Sequence, residues 1–154
     1  MPSEKDFYQV SLKVFLKNNR GEVLGLKAAR GGTYDGFYDL PGGRIDLEEF
    51  KTSFEEVIKR ELLEEIGNVE YSLNLRPIAF GRNENPNKQS PLGGFVHILN
   101  IFFEGVYKGG EITISDEHRG FKWIKLEEKN LEKYFKFAIL EGAKMYLKNQ
   151  KNEN

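Results

Sequence analysis

Between Ser53 and Gly67 the chain sets acidic residues inside an apolar helical stripe, an arrangement that constrains the fold more than any other feature. With Phe54 at zero and about 100° per residue, Val57 falls at about 300°, Ile58 at about 40°, Leu62 at about 80° and Ile66 at about 120°. That arc has to be buried. Glu61, at about 340°, and Glu65, at about 20°, lie within it, and Glu64, at about 280°, sits on its margin. A solvated charged face would put its acids opposite the stripe, where Glu56 lies. Carboxylates held away from water repel one another and become neutral unless a cation sits among them. The chain has no cysteine and only two histidines, His97 and His118, so the donors on offer are hard oxygens. Such donors favour Mg²⁺, with Mn²⁺ as a substitute, over zinc.

The surroundings of this helix read as an α/β chain. Tyr8, Val10, Leu12, Val14 and Leu16 alternate with Gln9, Ser11 and Lys13, the period-two pattern of a half-buried strand. Asn18 to Gly21 then form a turn and Val23 to Lys27 a returning strand. Gly31-Gly32 opens a loop, and Phe37 to Leu40 is a short aromatic strand that Pro41-Gly42-Gly43 is expected to stop. Ser53 and Glu56 have the spacing of a capping box, and Gly67 is a C-terminal stop. Beyond it come a strand near Ile78 to Phe80, a polar loop from Gly81 to Gly94 suited to set specificity, and a long strand from Phe95 to Val106. Lys108 to Gly110 is a tight turn and Phe121 to Ile124 a last strand. Leu131, Tyr134, Phe135, Ala138, Ile139, Gly142, Met145 and Tyr146 then predict one closing amphipathic helix, with a frayed end from Lys148 to Asn154.

Strands, helix, strands, helix in this order imply an α/β/α sandwich with a central mixed β-sheet between helices, and residues 1–154 make one domain. A net charge of −1, from 23 basic and 24 acidic residues, argues against a general nucleic-acid binder. Met1 to Phe7 has no apolar signal core, and no later run approaches the roughly 20 apolar residues of a membrane span. A soluble, cytoplasmic protein without a membrane partner is expected.

Gly43-Arg44-Ile45-Asp46-Leu47-Glu48-Glu49, followed by Arg60-Glu61-Leu62-Leu63-Glu64-Glu65-Ile66-Gly67, resembles the Nudix box, G-x5-E-x7-R-E-U-x-E-E-x-G-U. Leu40-Pro41-Gly42 fits as well. Two positions depart from the pattern: ten residues rather than seven separate Glu49 from Arg60, a three-residue insertion, and Asn68 stands at the closing aliphatic position. The resemblance implies a Nudix fold and a pyrophosphohydrolase that acts on a nucleoside diphosphate linked to a further group. It implies Glu61, Glu64 and Glu65 as metal ligands, Gly43 as a ligand through its carbonyl, and Arg60 as the residue that orients the carboxylates. Asp46, Glu48 and Glu49 are candidates to pair with Arg60, with Glu49 at the matching position. Asp116 to Trp123 is similar to the segment where many members carry a further glutamate, which makes Glu117 a candidate metal ligand or general base, with Glu61 the rival base and Asp116 the fallback. The family's frequent dimers imply a homodimer.

Arg30, Arg44 and Arg82 stand near turns flanking this region and are candidate phosphate contacts, Arg44 first. Tyr34, Phe37, Tyr38 and Phe95 could stack on a base or belong to the core, and Trp123 reads as a core anchor. His97 reads as structural and His118 as an exposed residue. The alternative to a hydrolase is a catalytically inactive Nudix-fold module that binds or senses a nucleotide, which the lengthened loop favours and the intact Arg60, Glu61, Glu64 and Glu65 oppose. A diphosphate isomerase on this fold would be expected to use a cysteine. Fold likeness alone does not fix the substrate.

Overall fold

Ten regular elements account for most of the residues described by the computed structural model, 3–152. They are β1 (Tyr8–Lys17), β2 (Val23–Ala28), β3 (Tyr38–Asp39), β4 (Gly42–Arg44), α1 (Phe54–Ile66), β5 (Glu70–Gln89), β6 (Phe95–Gly109), β7 (His118–Ile124), α2 (Leu131–Tyr134) and α3 (Phe137–Asn152). A single 3-10 turn, Leu47–Glu49, precedes α1.

The strands make one sheet in the order β3-β2-β1-β6-β5, with β4 also on β1 and β7 on β2. β1 and β6 run parallel, Tyr8 opposite His97 and Lys17 opposite Val106, and the other pairs are antiparallel. The sheet is therefore mixed, and an apolar core lies on each face. On one, Leu12, Val14 and Leu16 of β1 meet Val57, Ile58, Leu62 and Ile66 of α1. On the other, Phe15 and Phe102 meet Ile139, Ala143 and Tyr146 of α3, with the Phe15 and Tyr146 rings stacked 4.1 Å apart. The architecture is an α/β sandwich with a mixed sheet between helices.

Five expectations need correction. β1 is buried on both faces, not half-buried, because parallel pairing with β6 puts it mid-sheet with helices on either side. Pro41-Gly42-Gly43 does not end the strand run, since Gly42–Arg44 pairs with β1 as β4. The segment 81–94 is mostly strand: β5 continues to Gln89 along β6, and only the turn around Ser90–Gly94 departs from it, closed by Ser90 N–H to Gly94 O at 2.8 Å. Gly81 to Asn85 and Gln89 pair with β6, and a polar sequence costs little on an edge strand whose other side faces solvent. The closing helix is broken in two. Phe135 caps α2 through its N–H to Leu131 O with extended backbone, and Phe137 begins α3 at φ 53°. α3 runs to Asn152, so the expected frayed end is helical that far, and 153–154, with Met1 and Pro2, lie outside the described residues.

Ser53 accepts a hydrogen bond from Glu56 N–H at 3.2 Å, and Glu56 turns its own carboxylate to Lys59 at 3.4 Å, so half of the capping box forms. Ser53→Ala is expected to cost about 1 kcal/mol in urea unfolding with an unchanged m-value. A cost below a few tenths of a kcal/mol would show that α1 is held by packing alone.

Candidate active site

The 3-10 turn brings Glu49 against α1, where the guanidinium of Arg60 grips it in a fork, Nε to Oε2 at 2.8 Å and Nη2 to Oε1 at 2.6 Å. Glu49 is thus the partner of Arg60, with Asp46 more loosely placed at 3.5 Å. The Arg60 hydrogen bonds, helped by Asp46 N–H, hold the Glu49 carboxyl below the usual carboxylate range. The remaining Arg60 nitrogen, Nη1, donates to Glu61 at 2.9 Å and to Glu64 at 3.5 Å. Residues 50–53 simply loop out between turn and helix.

Glu65, on the next turn of α1, is 5% exposed, and its Oε2 has no hydrogen-bond partner. Burial pushes its carboxyl up to about 8; Lys13 opposes this, while Asp39, Glu61 and Glu117 add to it. Burial also raises Glu61, against the pull of Arg60. Lys13 is the buried cation of the group: its Nζ donates to Asp39 at 3.1 Å and to the carbonyls of Leu40 and Gly42 at 3.3 Å. Burial acts to lower its pKa, but Asp39, Glu65 and Glu61 outweigh it and the net shift is upward. Gly43 closes the wall, because a Cβ there would stand 2.3 Å from the Glu61 carboxylate.

These groups border an open cavity of about 650 Å³. Gly43, Arg44, Arg60 and Glu61 line it, as do Glu64, Glu65 and Glu117. Arg30 and Arg82 do not. Arg30 is exposed while its neighbours Ala29 and Gly32 reach the wall. Arg82 points its guanidinium at Tyr8 Oη, 3.3 Å away, and its backbone N–H at Glu141, because it alternates with an inward-facing Asn83. Arg44 reaches the wall and binds Gln9 at 2.9 Å.

His118 is a correction: it lines the cavity half-buried, with Nδ1 buried and unpartnered, and burial holds its pKa below the ordinary value. His97 is a surface residue, its ring between Asp6 at 2.6 Å and Glu84 at 3.3 Å. Tyr34 lines the cavity, whereas Tyr38 packs against Tyr134 and Trp123 against Tyr107. Sequence reasoning missed Lys13 and Asp39, and also Asn83, Asn85, Asn87 and Asn100 on the far wall. The three asparagines of β5 did carry a signal, since they recur with period two.

Among the described residues, no three carboxylate or imidazole side chains are already gathered into a metal-binding group; Glu61 and Glu64 lean on Arg60 instead. The donor chemistry fits a hard divalent cation nonetheless. All side-chain donors on α1 are carboxylates, and one buried oxygen, Glu65 Oε2, lacks a partner.

Residues 7–140 match the NUDIX domain family. The chain belongs to the Nudix family. It is similar to the nucleoside triphosphatase NudI of Escherichia fergusonii, 24% identical over 116 residues that cover 73% of this chain and 79% of that one. Its fold is similar to that of a MutT protein from Methanosarcina mazei, with a TM-score of 0.69, 22% identity and 99% of both chains covered. An ADP-ribose pyrophosphatase from Streptococcus suis superposes with a TM-score of 0.60 at 15% identity, over 96% of this chain and 93% of that one. The relatives named as a nucleoside triphosphatase and an ADP-ribose pyrophosphatase are pyrophosphohydrolases.

Proposed function

We propose that this Nudix protein is a metal-dependent hydrolase that cleaves a phosphoanhydride bond of a nucleoside diphosphate linked to another group. The observation that carries this is the buried, unpartnered Glu65 Oε2 beside Glu61 at the floor of a nucleotide-sized cavity. The whole span 1–154 acts as one unit, in the cytoplasm and as a homodimer. The three-residue insertion between Glu49 and Arg60 leaves their ion pair intact, so it does not favour an inactive nucleotide-binding module.

Glu61, Glu64, Glu65 and Glu117, with the Gly43 carbonyl, would hold Mg²⁺ or Mn²⁺, which supplies charge screening for the pyrophosphate and activation of water. The rest falls to the chain. Glu117 or Glu61 takes the proton of the attacking water as its oxygen bonds to one phosphorus, and the bridging P–O bond breaks with its electrons leaving on the other phosphate. Arg60 keeps Glu49, Glu61 and Glu64 in register from the flank. Arg44 sits where it can exchange Gln9 for a phosphate oxygen.

The test is release of phosphate or nucleoside monophosphate from nucleoside triphosphates, nucleotide sugars and dinucleotides with Mg²⁺, with Mn²⁺ and with chelator. Turnover that chelation abolishes is the expected result. A chain that binds metal yet turns over no member of the panel is a nucleotide-binding module.

A further inference from the structure

A basic and aromatic strip lies outside the cavity, on the face of the sheet that meets α2, and the hydrolase reading leaves it unused. Strand register builds half of it. Lys27 of β2 stands opposite Tyr38 of β3 and Gly120 of β7, and Lys122 of β7 stands opposite Gly25. Directly opposed residues point to one face, as do residues two apart on a strand, so Lys27 and Lys122 share the face of Tyr38. Gly25 makes room for that ring, since a Cβ there would lie 3.3 Å from Tyr38 Cβ.

The break between α2 and α3 supplies the rest. Tyr134 meets Tyr38 edge-on at 5.9 Å, with the ammonium groups of Lys122 and Lys133 at 5.2 and 5.4 Å from its ring centre. Lys136 holds its ammonium near two more rings, 5.0 Å from Phe37 and 4.9 Å from Phe137. The Phe137 ring in turn meets Tyr34, on the cavity wall, at 6.1 Å. The contacts thus run from the cavity rim to Lys133, with Phe37 and Tyr38 adjacent in the chain as the link.

Two properties of the strip point to a ligand. Glu132, next to Lys133 in the chain, is taken by Lys144 at 3.5 Å, and among the described residues Lys27, Lys122, Lys133 and Lys136 have no acidic partner. The net charge of −1 conceals this local excess of cations. Phe137 is 56% exposed and stands at φ 53°, a left-handed conformation that strains a bulky residue and leaves a glycine unstrained. The turn into α3 needs no ring at that position, so the exposed ring has another use.

We propose that the strip is a binding surface for single-stranded nucleic acid, with phosphates over the four lysines and a base stacked on Phe137. An acidic peptide would answer the charge and leave the aromatic face idle. A bilayer would need more protruding apolar surface than one ring, and Tyr34, Phe37, Tyr38 and Tyr134 are half-buried. A duplex keeps its base faces stacked on one another, so only a single strand satisfies both the lysines and Phe137. Binding here requires no turnover and stands apart from the hydrolase reading.

Fluorescence anisotropy with a labelled oligothymidylate of about 15 nucleotides, in chelator so that nothing is cleaved, is expected to show saturable binding with Kd between about 10⁻⁶ and 10⁻⁴ M near physiological salt. The slope of log K against log salt should lie between about −2 and −3, as about four neutralised phosphates give for a single strand. Lys122→Gln, Lys133→Gln and Lys136→Gln are each expected to flatten that slope by about 0.7, whereas Lys108→Gln, which removes the same charge from β6, leaves it unchanged. Phe137→Leu should weaken binding about fivefold or more and Phe137→Tyr about twofold or less, because only tyrosine keeps an aromatic face. In the wild type, the backbone amide NMR signals of residues 120–123 and 133–137 should move with the oligonucleotide, a readout that needs no variant to fold. The proposal is overturned if no saturable binding is seen below about 1 mM, if the strip variants bind like the wild type or lose no more than Lys108→Gln, or if a duplex of equal length binds as tightly. Phosphatidylglycerol vesicles that need these residues while the oligonucleotide does not would overturn it too, and make the strip a membrane-binding surface.

Discussion

Glu64→Gln is expected to lower metal-dependent turnover by about 10²-fold or more with the fold unchanged. Glu64 is the one carboxylate of the α1 trio that is largely exposed, 61% at its side chain, and its bond to Arg60 is a long 3.5 Å. Such an ion pair contributes about 0.5 kcal/mol or less to stability, so denaturant unfolding of the variant should match the wild type closely. If Glu64 is a metal ligand as proposed, its loss would remove several kcal/mol of charge stabilisation in the transition state, and about 3 kcal/mol is already a factor of 10². Paired kcat and unfolding measurements on both proteins decide the matter. A variant that keeps turnover within about threefold of wild type shows that Glu64 takes no part in the chemistry.

The second large effect belongs to the backbone. Gly42 sits at φ +130°, and a Cβ there would lie 1.9 Å from the Leu12 carbonyl oxygen and 2.9 Å from Lys13 Cα. Neither is a flexible side-chain end that can swing aside. Gly42→Ala is expected to cost about 3 kcal/mol or more, since β4 must leave β1 to relieve the contact. Leaving would also carry off the Gly42 carbonyl that holds Lys13 and shift Gly43 from Glu61. Gly21→Ala provides the comparison: φ there is +76° with nothing within 4 Å of the added atom, so only about 1 kcal/mol of backbone strain is at stake. Urea unfolding of the two variants gives the difference directly, and equal costs would mean that β4 accommodates the methyl group.

The α1 helix was legible from the sequence because its message is local. Apolar spacing, Ser53, Gly67 and the placement of Glu61 and Glu65 within the buried arc all act over a few residues, and the structure buries Val57, Ile58, Leu62, Ile66 and Glu65, with Glu61 half-buried. Strand identity in β1, β2 and β6 was readable for the same reason. The Nudix box likewise fixed Arg60 and its acids by spacing alone, but not which acid Arg60 would grip. Asp46, Glu48 and Glu49 lie within four residues of one another, and only the 3-10 turn settles on Glu49.

Tertiary structure decided what pairing and burial decide. Residues 81–89 look like a loop when polarity is read as exposure, yet Gly81 to Asn85 and Gln89 pair with β6 and the asparagines face a cavity. Gly42–Arg44 look like a stop until β1 runs alongside and needs glycine there. Lys13 is one polar residue in a strand pattern, and it becomes the buried cation only when Asp39 and the α1 acids converge on it from elements 26 and more residues away. The sequence by itself nominated the candidate side chains of the acidic helix; long-range strand pairing decided which candidates share a cavity and which other residues join them, because hydrogen-bond register and burial are properties of neighbours that the local sequence does not contain.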